Sequence, residues 1–188
     1  MTNRFFTATA SVLALGLIGA ASLGIGGEAA RDATTPVVVA AAQSAAPDFT
    51  GIGKWFNSAP LNIAGLRGKV VLVNFWTYGC VNCINALPHV VELNRKYRDR
   101  GLVVVGVHTP EFPFERSASN VQTALKRHGI TYPVAQDNDF RTWNAYRNQY
   151  WPAQYIVDQT GKIVFQHAGE GQYEQIDRTI ARLLNAAS

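Results

Sequence analysis

Beyond residue 46 the chain is a succession of short apolar runs and polar turns, with apolar spacing that switches between strand-like and helical periods. Turn-punctuated elements at 48–52 and 61–63 come first, followed by Leu66-Arg67-Gly68-Lys69 as a turn. Next is Val70-Val71-Leu72-Val73-Asn74-Phe75-Trp76, an almost continuous β-branched and aromatic run. Such a run marks a strand covered on both faces, so it belongs at the centre of a sheet. Gly79 breaks it, and from 81 to 98 the apolar positions Ile84, Leu87, Val90, Val91, Leu93 and Tyr97 recur at helical spacing. A second buried strand at 102–107 completes a strand–helix–strand unit, which implies a parallel crossover. A helix at 117–128 turns Val121, Ala124 and Leu125 inward and stops at Gly129. Pro133-Val134-Ala135 reads as a short strand, and 139–146 as a helix begun by the acidic cap Asp139. Tyr155-Ile156-Val157 and Ile163-Val164-Phe165, joined across Asp158-Gln159-Thr160-Gly161-Lys162, form an antiparallel hairpin. A last amphipathic helix at 173–184 buries Ile176, Ile180, Leu183 and Leu184. The class is α/β.

The first residues follow another pattern. Arg4 precedes an uncharged, largely apolar stretch at 5–27, the layout of an export signal. The stretch is long enough to cross a bilayer, although Thr7, Thr9, Ser11, Ser22 and its glycines weaken it as a span. Residues 1–30 are therefore a signal peptide or a signal anchor. Ala40-Ala41-Ala42 offers a small-residue cleavage motif, at the cost of an unusually long signal. Residues 31–46, alanine-rich and without amphipathic period, read as a linker, and 47–188 as one folded domain. Either fate of the leader places that domain in the periplasm or on the extracytoplasmic face.

Composition bounds the function classes. Of 188 residues 47% are hydrophobic and 11% aromatic, which excludes a disordered chain and a multi-span membrane protein. The net charge of +4 is dispersed; the dense group Arg95, Lys96, Arg98 and Arg100 alternates with Glu92 and Asp99 on a solvated helix face. A monomeric domain that binds no nucleic acid is expected.

The chemistry centres on the only two cysteines, set in Trp76-Thr77-Tyr78-Gly79-Cys80-Val81-Asn82-Cys83. In an exported domain a C-x-x-C pair is a permanent staple or a redox couple. A staple across a two-residue gap removes little chain entropy, so the couple is the better reading. Cys80 falls at a helix N-terminus, where orphan N–H groups and the macrodipole favour a thiolate, and is the nucleophile. Cys83, one turn inside and beside Ile84, is the buried resolving thiol. The redox-active disulfide of Cys80 and Cys83 is the only cofactor-like group required. Val81-Asn82 carries no cation to stabilise the thiolate, which argues against a strong oxidant. Zinc would need two of His89, His108, His128 and His167 as further ligands, and haem attachment would need a histidine where Ile84 stands. No metal is expected.

From 47 to 186 the chain resembles the thioredoxin-fold family, in particular its exported TlpA-like branch. It more closely resembles the thioredoxin-like module that DipZ-like proteins fuse to DsbD-type transmembrane electron carriers. The resemblance is carried by 70–83, by Pro88 in the active-site helix, by Val107-His108-Thr109-Pro110-Glu111-Phe112 and by Gly169-Glu170-Gly171-Gln172-Tyr173. It implies a central mixed sheet flanked by helices, with a TlpA-type insertion and an N-terminal extension. It also implies a cis Pro152 facing the cysteines, and a Trp151 backbone free to pair with a substrate chain. Protein thiols and disulfides would be the substrates and a DsbD/CcdA-type membrane carrier the electron donor, in cytochrome c maturation or thiol repair. Trp76, Thr77, Tyr78 and Gly79 line the approach to Cys80 and, with Trp151, are candidate substrate contacts.

Two departures stand out. Asn74 occupies the place of the buried aspartate of thioredoxin, and an amide cannot titrate, so Glu111 or water becomes the candidate proton acceptor. Ala153-Gln154 follows the proline where a threonine is usual. Two other functions stay open. Thr77-x-x-Cys80 is similar to the peroxiredoxin motif without its upstream proline, which keeps a thiol peroxidase in view; the other is a non-catalytic redox-sensing module.

Overall fold

The structure, a computed structural model, describes residues 44–186. The leader, the Ala40–Ala42 motif and most of the linker lie outside them. In chain order the elements are β1 (Lys54–Phe56), β2 (Val70–Trp76), α1 (Val81–Tyr97), β3 (Leu102–His108), α2 (Ala118–Arg127) and β4 (Val134–Gln136). They continue with α3 (Arg141–Ala145), β5 (Ala153–Val157), β6 (Ile163–Ala168) and α4 (Tyr173–Asn185). One six-stranded sheet has the order β1-β4-β3-β2-β5-β6. β2 runs parallel to β3 and antiparallel to β5, and β3 is parallel to β4. β6 and β1 close the edges antiparallel to β5 and β4. This is the mixed sheet with flanking helices that the resemblance implies.

The alternation along β2 builds two cores. Val70, Leu72 and Trp76 pack with Cys83, Leu87 and Val90 of α1, Val121 and Leu125 of α2, and Ile176 and Ile180 of α4. Val71, Val73 and Phe75 point the other way, into Trp143, Tyr146, Tyr155 and Val107. Phe75 meets Trp143, Tyr146 and Tyr155 edge-on at 5.7, 5.4 and 5.7 Å between ring centroids, a geometry that aligns ring edges with ring faces. All seven positions of β2 are buried, so the strand holds the C-terminal end of the sheet, and the cysteines that follow it, in a fixed place.

Locally the structure departs from the pattern in places. The elements read at 48–52 and 61–63 contain no helix or strand of their own; the edge strand is Lys54–Phe56, and Asp48 Oδ1 accepts from the N–H groups of Phe49 and Ile63. Asp139 does not cap α3. The N-cap there is Phe140 in the left-handed region, and the carboxylate that accepts from Thr142 N–H (3.3 Å) and Trp143 N–H (2.8 Å) is Asp137, at the end of β4. The segment between β3 and α2 contains a one-turn helix, Pro113–Arg116, which periodicity does not reveal. At the start of the described chain, residues 44–46 pair beside β6: Ile163 N–H donates to Ser44 O and Ala46 N–H to Gly161 O. Among the described residues no helix is long and apolar enough to cross a membrane.

Candidate active site

Cys80 is the N-cap of α1, and both thiols are free. Its Sγ accepts from Cys83 N–H at 3.3 Å, so one orphan donor of the helix end points at the sulfur. On the opposite side Cys80 Sγ lies 3.9 Å from Trp151 O, and the Trp151–Pro152 peptide is cis. Cys80 is partly exposed, whereas Cys83 is 1% exposed. Burial pushes the Cys83 thiol far up, and its hydrogen bond to Cys80 adds to the effect. The Thr77 amide pulls in the other direction, and the nearby charge of Glu111 makes a smaller upward contribution. One sulfur is thus open to attack a substrate while the other holds its proton.

Trp76 and Thr77 do not reach the surface. Both are fully buried, Trp76 in the α1 core and Thr77 with its Oγ1 3.3 Å from His108 Nε2. They support the turn from below. Tyr78 and Gly79 do reach the surface, Tyr78 stacked on His108 at 5.5 Å and 24° with its hydroxyl donating to Phe114 O at 2.7 Å. Burial pushes His108 down to about 4, with the Glu115 charge acting in the opposite sense. A neutral imidazole therefore sits under the turn at working pH. Trp151 is half-buried, packed on Trp143 at 4.1 Å, and its Nε1–H donates to Thr109 O at 3.0 Å.

Asn74 is buried and its Oδ1 accepts from Gln154 Nε2 at 3.4 Å. The unusual Gln154 thus completes an amide pair. Gln154 Oε1 has no hydrogen-bond partner among the described residues, and Gln154 is one of the residues lining a cavity of about 200 Å³ between α1 and α4, with His89 and Tyr173. Glu111 is exposed.

Residues 42–166 match the model of the AhpC/TSA family. The chain belongs to the AhpC/TSA family. It is 48% identical over 145 residues to Protein DipZ of Mycobacterium tuberculosis, across 76% of this chain and 21% of that one. The chain thus spans about a fifth of the length of that relative. It is 31% identical to thiol-disulfide oxidoreductase YkuV of Bacillus subtilis over 138 residues, 73% of this chain and 93% of the relative. The solution structure of a thioredoxin-like protein in its oxidised form superposes with a TM-score of 0.70 at 31% identity, covering 78% of this chain and 98% of that one. Within the AhpC/TSA family the chain has a thioredoxin-like fold.

Sequence reasoning about this AhpC/TSA-family site passes over Glu115, and weighs His108 only as a metal ligand. Glu115 is fully buried beside the turn, its Oε1 accepting from Gly79 N–H at 2.8 Å. A signal for it exists: Pro113 and Glu115 stand at the first and third positions of a helical turn, where glutamate reaches back to the N-cap amide, here Phe112 N–H at 2.9 Å.

Proposed function

We propose that this chain reduces protein disulfides outside the cytoplasm, with Cys80 as nucleophile and Cys83 as resolving thiol. The observation that carries the reading is the setting of Cys80: its sulfur caps α1, takes the N–H of Cys83 and faces the Trp151 carbonyl of the cis-proline turn. In that setting the Cys80 thiolate attacks one sulfur of the substrate disulfide. The substrate S–S bond breaks, its other sulfur leaves as a thiolate that takes a proton from solvent, and a mixed disulfide forms. Cys83 then gives up its proton and attacks Cys80 Sγ, which releases the second substrate thiol and leaves the Cys80–Cys83 disulfide. The pair loses two electrons and the substrate gains two.

The proton on Cys83 is the difficult one, because burial holds it. Asn74 cannot take it, and Glu111, near enough to act on Cys83 electrostatically, is the side chain proposed as acceptor, directly or through water. A reductant's role is supported by the cation-free turn, with Val81-Asn82 between the cysteines and a neutral His108 beneath. The likeness to DipZ favours re-reduction by a DsbD/CcdA-type membrane carrier, with service in cytochrome c maturation or thiol repair. The signal-like pattern of Arg4 and 5–27 favours export. The thiol peroxidase alternative is opposed by Thr77, whose hydroxyl is buried against His108 and turned to it rather than offered to a peroxide.

The test is turnover of an insulin-type disulfide substrate. Cys80→Ser should fall to the background rate, and Cys83→Ser should accumulate a mixed disulfide visible on a non-reducing gel. Activity retained by Cys80→Ser would contradict the assignment.

A further inference from the structure

The loop between β3 and α2 holds both walls of the site. Thr109 O accepts from the Trp151 indole, Phe114 O from the Tyr78 hydroxyl, and Glu115 Oε1 from Gly79 N–H. The third of these contacts involves a side chain with no exposure to solvent. Glu115 Oε2 accepts in addition from Glu111 N–H at 2.6 Å and Phe112 N–H at 2.9 Å. A buried carboxylate that loses such donors is left uncompensated, so all three bonds persist together or the loop rearranges. The approach leaves no room at the turn: a Cβ at Gly79 would overlap Glu115 Oε1 and come within 3.6 Å of Phe114 Cζ. Glycine is required there for close contact, since its φ is not in the left-handed region.

We propose that Glu115 is the positioning residue of the redox turn: its carboxylate fixes Gly79 N–H, and through it the place of Cys80 Sγ at the N-terminus of α1, and sets the reducing poise of the pair. The role rests on the reading of Cys80 and Cys83 as an exchanging couple. A neutral acceptor would serve to hold one amide. A carboxylate holds three and also puts a negative charge beside a thiol that must ionise, which disfavours the thiolate and so favours a reducing couple. The other titratable groups around the turn are Cys83 in α1, Tyr78 in the turn itself, His108 in β3 and Glu111 in the loop; the cis-proline turn contributes the Trp151 carbonyl. Burial keeps His108 uncharged, so it does not cancel the Glu115 charge.

The experiment uses the full-length chain. Glu115→Gln keeps the size of the side chain but replaces one acceptor by a donor, so it cannot serve all three amides. The pH profile of Cys80 alkylation should move to lower pH in this variant. Its equilibrium with glutathione should shift toward the dithiol by about tenfold, which is about 30 mV for a two-electron couple. A residue that only capped its own helical turn would alter the melting temperature and leave both readouts at the wild-type values; that result would overturn the proposal. Hydrogen exchange at the Gly79 amide of the wild-type chain gives a second reading that needs no variant. Protection is expected, and exchange at the rate of a free loop amide would overturn the clamp. A wild-type pair that forms no reversible disulfide with glutathione would overturn the functional reading and this role with it, whereas an unaltered couple in Glu115→Gln overturns the role alone.

Discussion

Cys80 and Cys83 are separated by one helical turn and by a much larger difference in environment. Cys80 meets solvent, an N–H donor and a carbonyl; Cys83 is enclosed by the α1 core, and burial holds its proton. Reduced chain treated with one equivalent of iodoacetamide near neutral pH should therefore carry its label on Cys80 alone, by peptide mass mapping, with Cys83 reacting only after unfolding. Labelling of Cys83 in the folded chain would contradict the assigned order. His108 supplies a pH prediction. Its folded value, near 4, lies below the ordinary 6.5, so between those values the unfolded chain binds more protons and stability is lost as pH falls through that window. The loss amounts to about 3 kcal/mol from this one group. Urea unfolding of the wild type should lose stability between pH 6.5 and about 4 more steeply than that of His108→Gln. Equal slopes would show that the imidazole is already protonated in the fold.

At the scale of elements, legibility followed the strength of local pattern. β2 and α1 were readable because a seven-residue apolar run and a seventeen-residue helical period leave few alternatives, and the turn between them placed both cysteines. The segment 48–63 was not readable: its one strand has three residues, pairs only at the sheet edge, and takes its register from β4 rather than from its own sequence. The start of α3 misled for a different reason. Its capping carboxylate, Asp137, stands before the left-handed Phe140 and reaches across it, whereas Asp139 has the sequence position of a cap without the geometry. Replacement of Asp137 by Ala should cost roughly 1–2 kcal/mol, typical of a lost helix cap, measured by urea denaturation. It should also loosen the Trp143–Trp151 contact, because Trp143 N–H is one of the groups released. A stability unchanged within error would show that the cap is redundant. Glu115 sits between these cases. Its own turn carries a local signal, Pro113 and the glutamate at the third position, that the reading of the sequence passed over, and its bond to Gly79 joins separate elements, which no local pattern reports.

For the whole molecule, the sheet order places the carboxyl end of β2 between that of β3 and the start of β5, so three chain segments meet around the redox turn. The first brings Cys80, the second the loop with Glu111 and Glu115, and the third Trp151 and Pro152. The C-x-x-C could be placed from its own motif and the proline from the family resemblance; the loop could not, because its contribution is made through backbone amides and a buried carboxylate. The proposed function is exchange with polypeptide disulfides rather than reaction with peroxide. Stopped-flow oxidation by hydrogen peroxide should accordingly be no faster than for a free thiol, and a much faster rate would restore the peroxidase reading. The central claim is that Cys80 and Cys83 form a reversible couple poised to donate electrons. Its most direct test is the equilibrium reduction potential of the pair in the full-length chain, titrated against glutathione or dithiothreitol and read by alkylation and mass. A value toward the thioredoxin end of the scale, about −270 mV, is the result predicted; one toward the oxidant end, about −120 mV, or a pair that does not equilibrate at all, would contradict it.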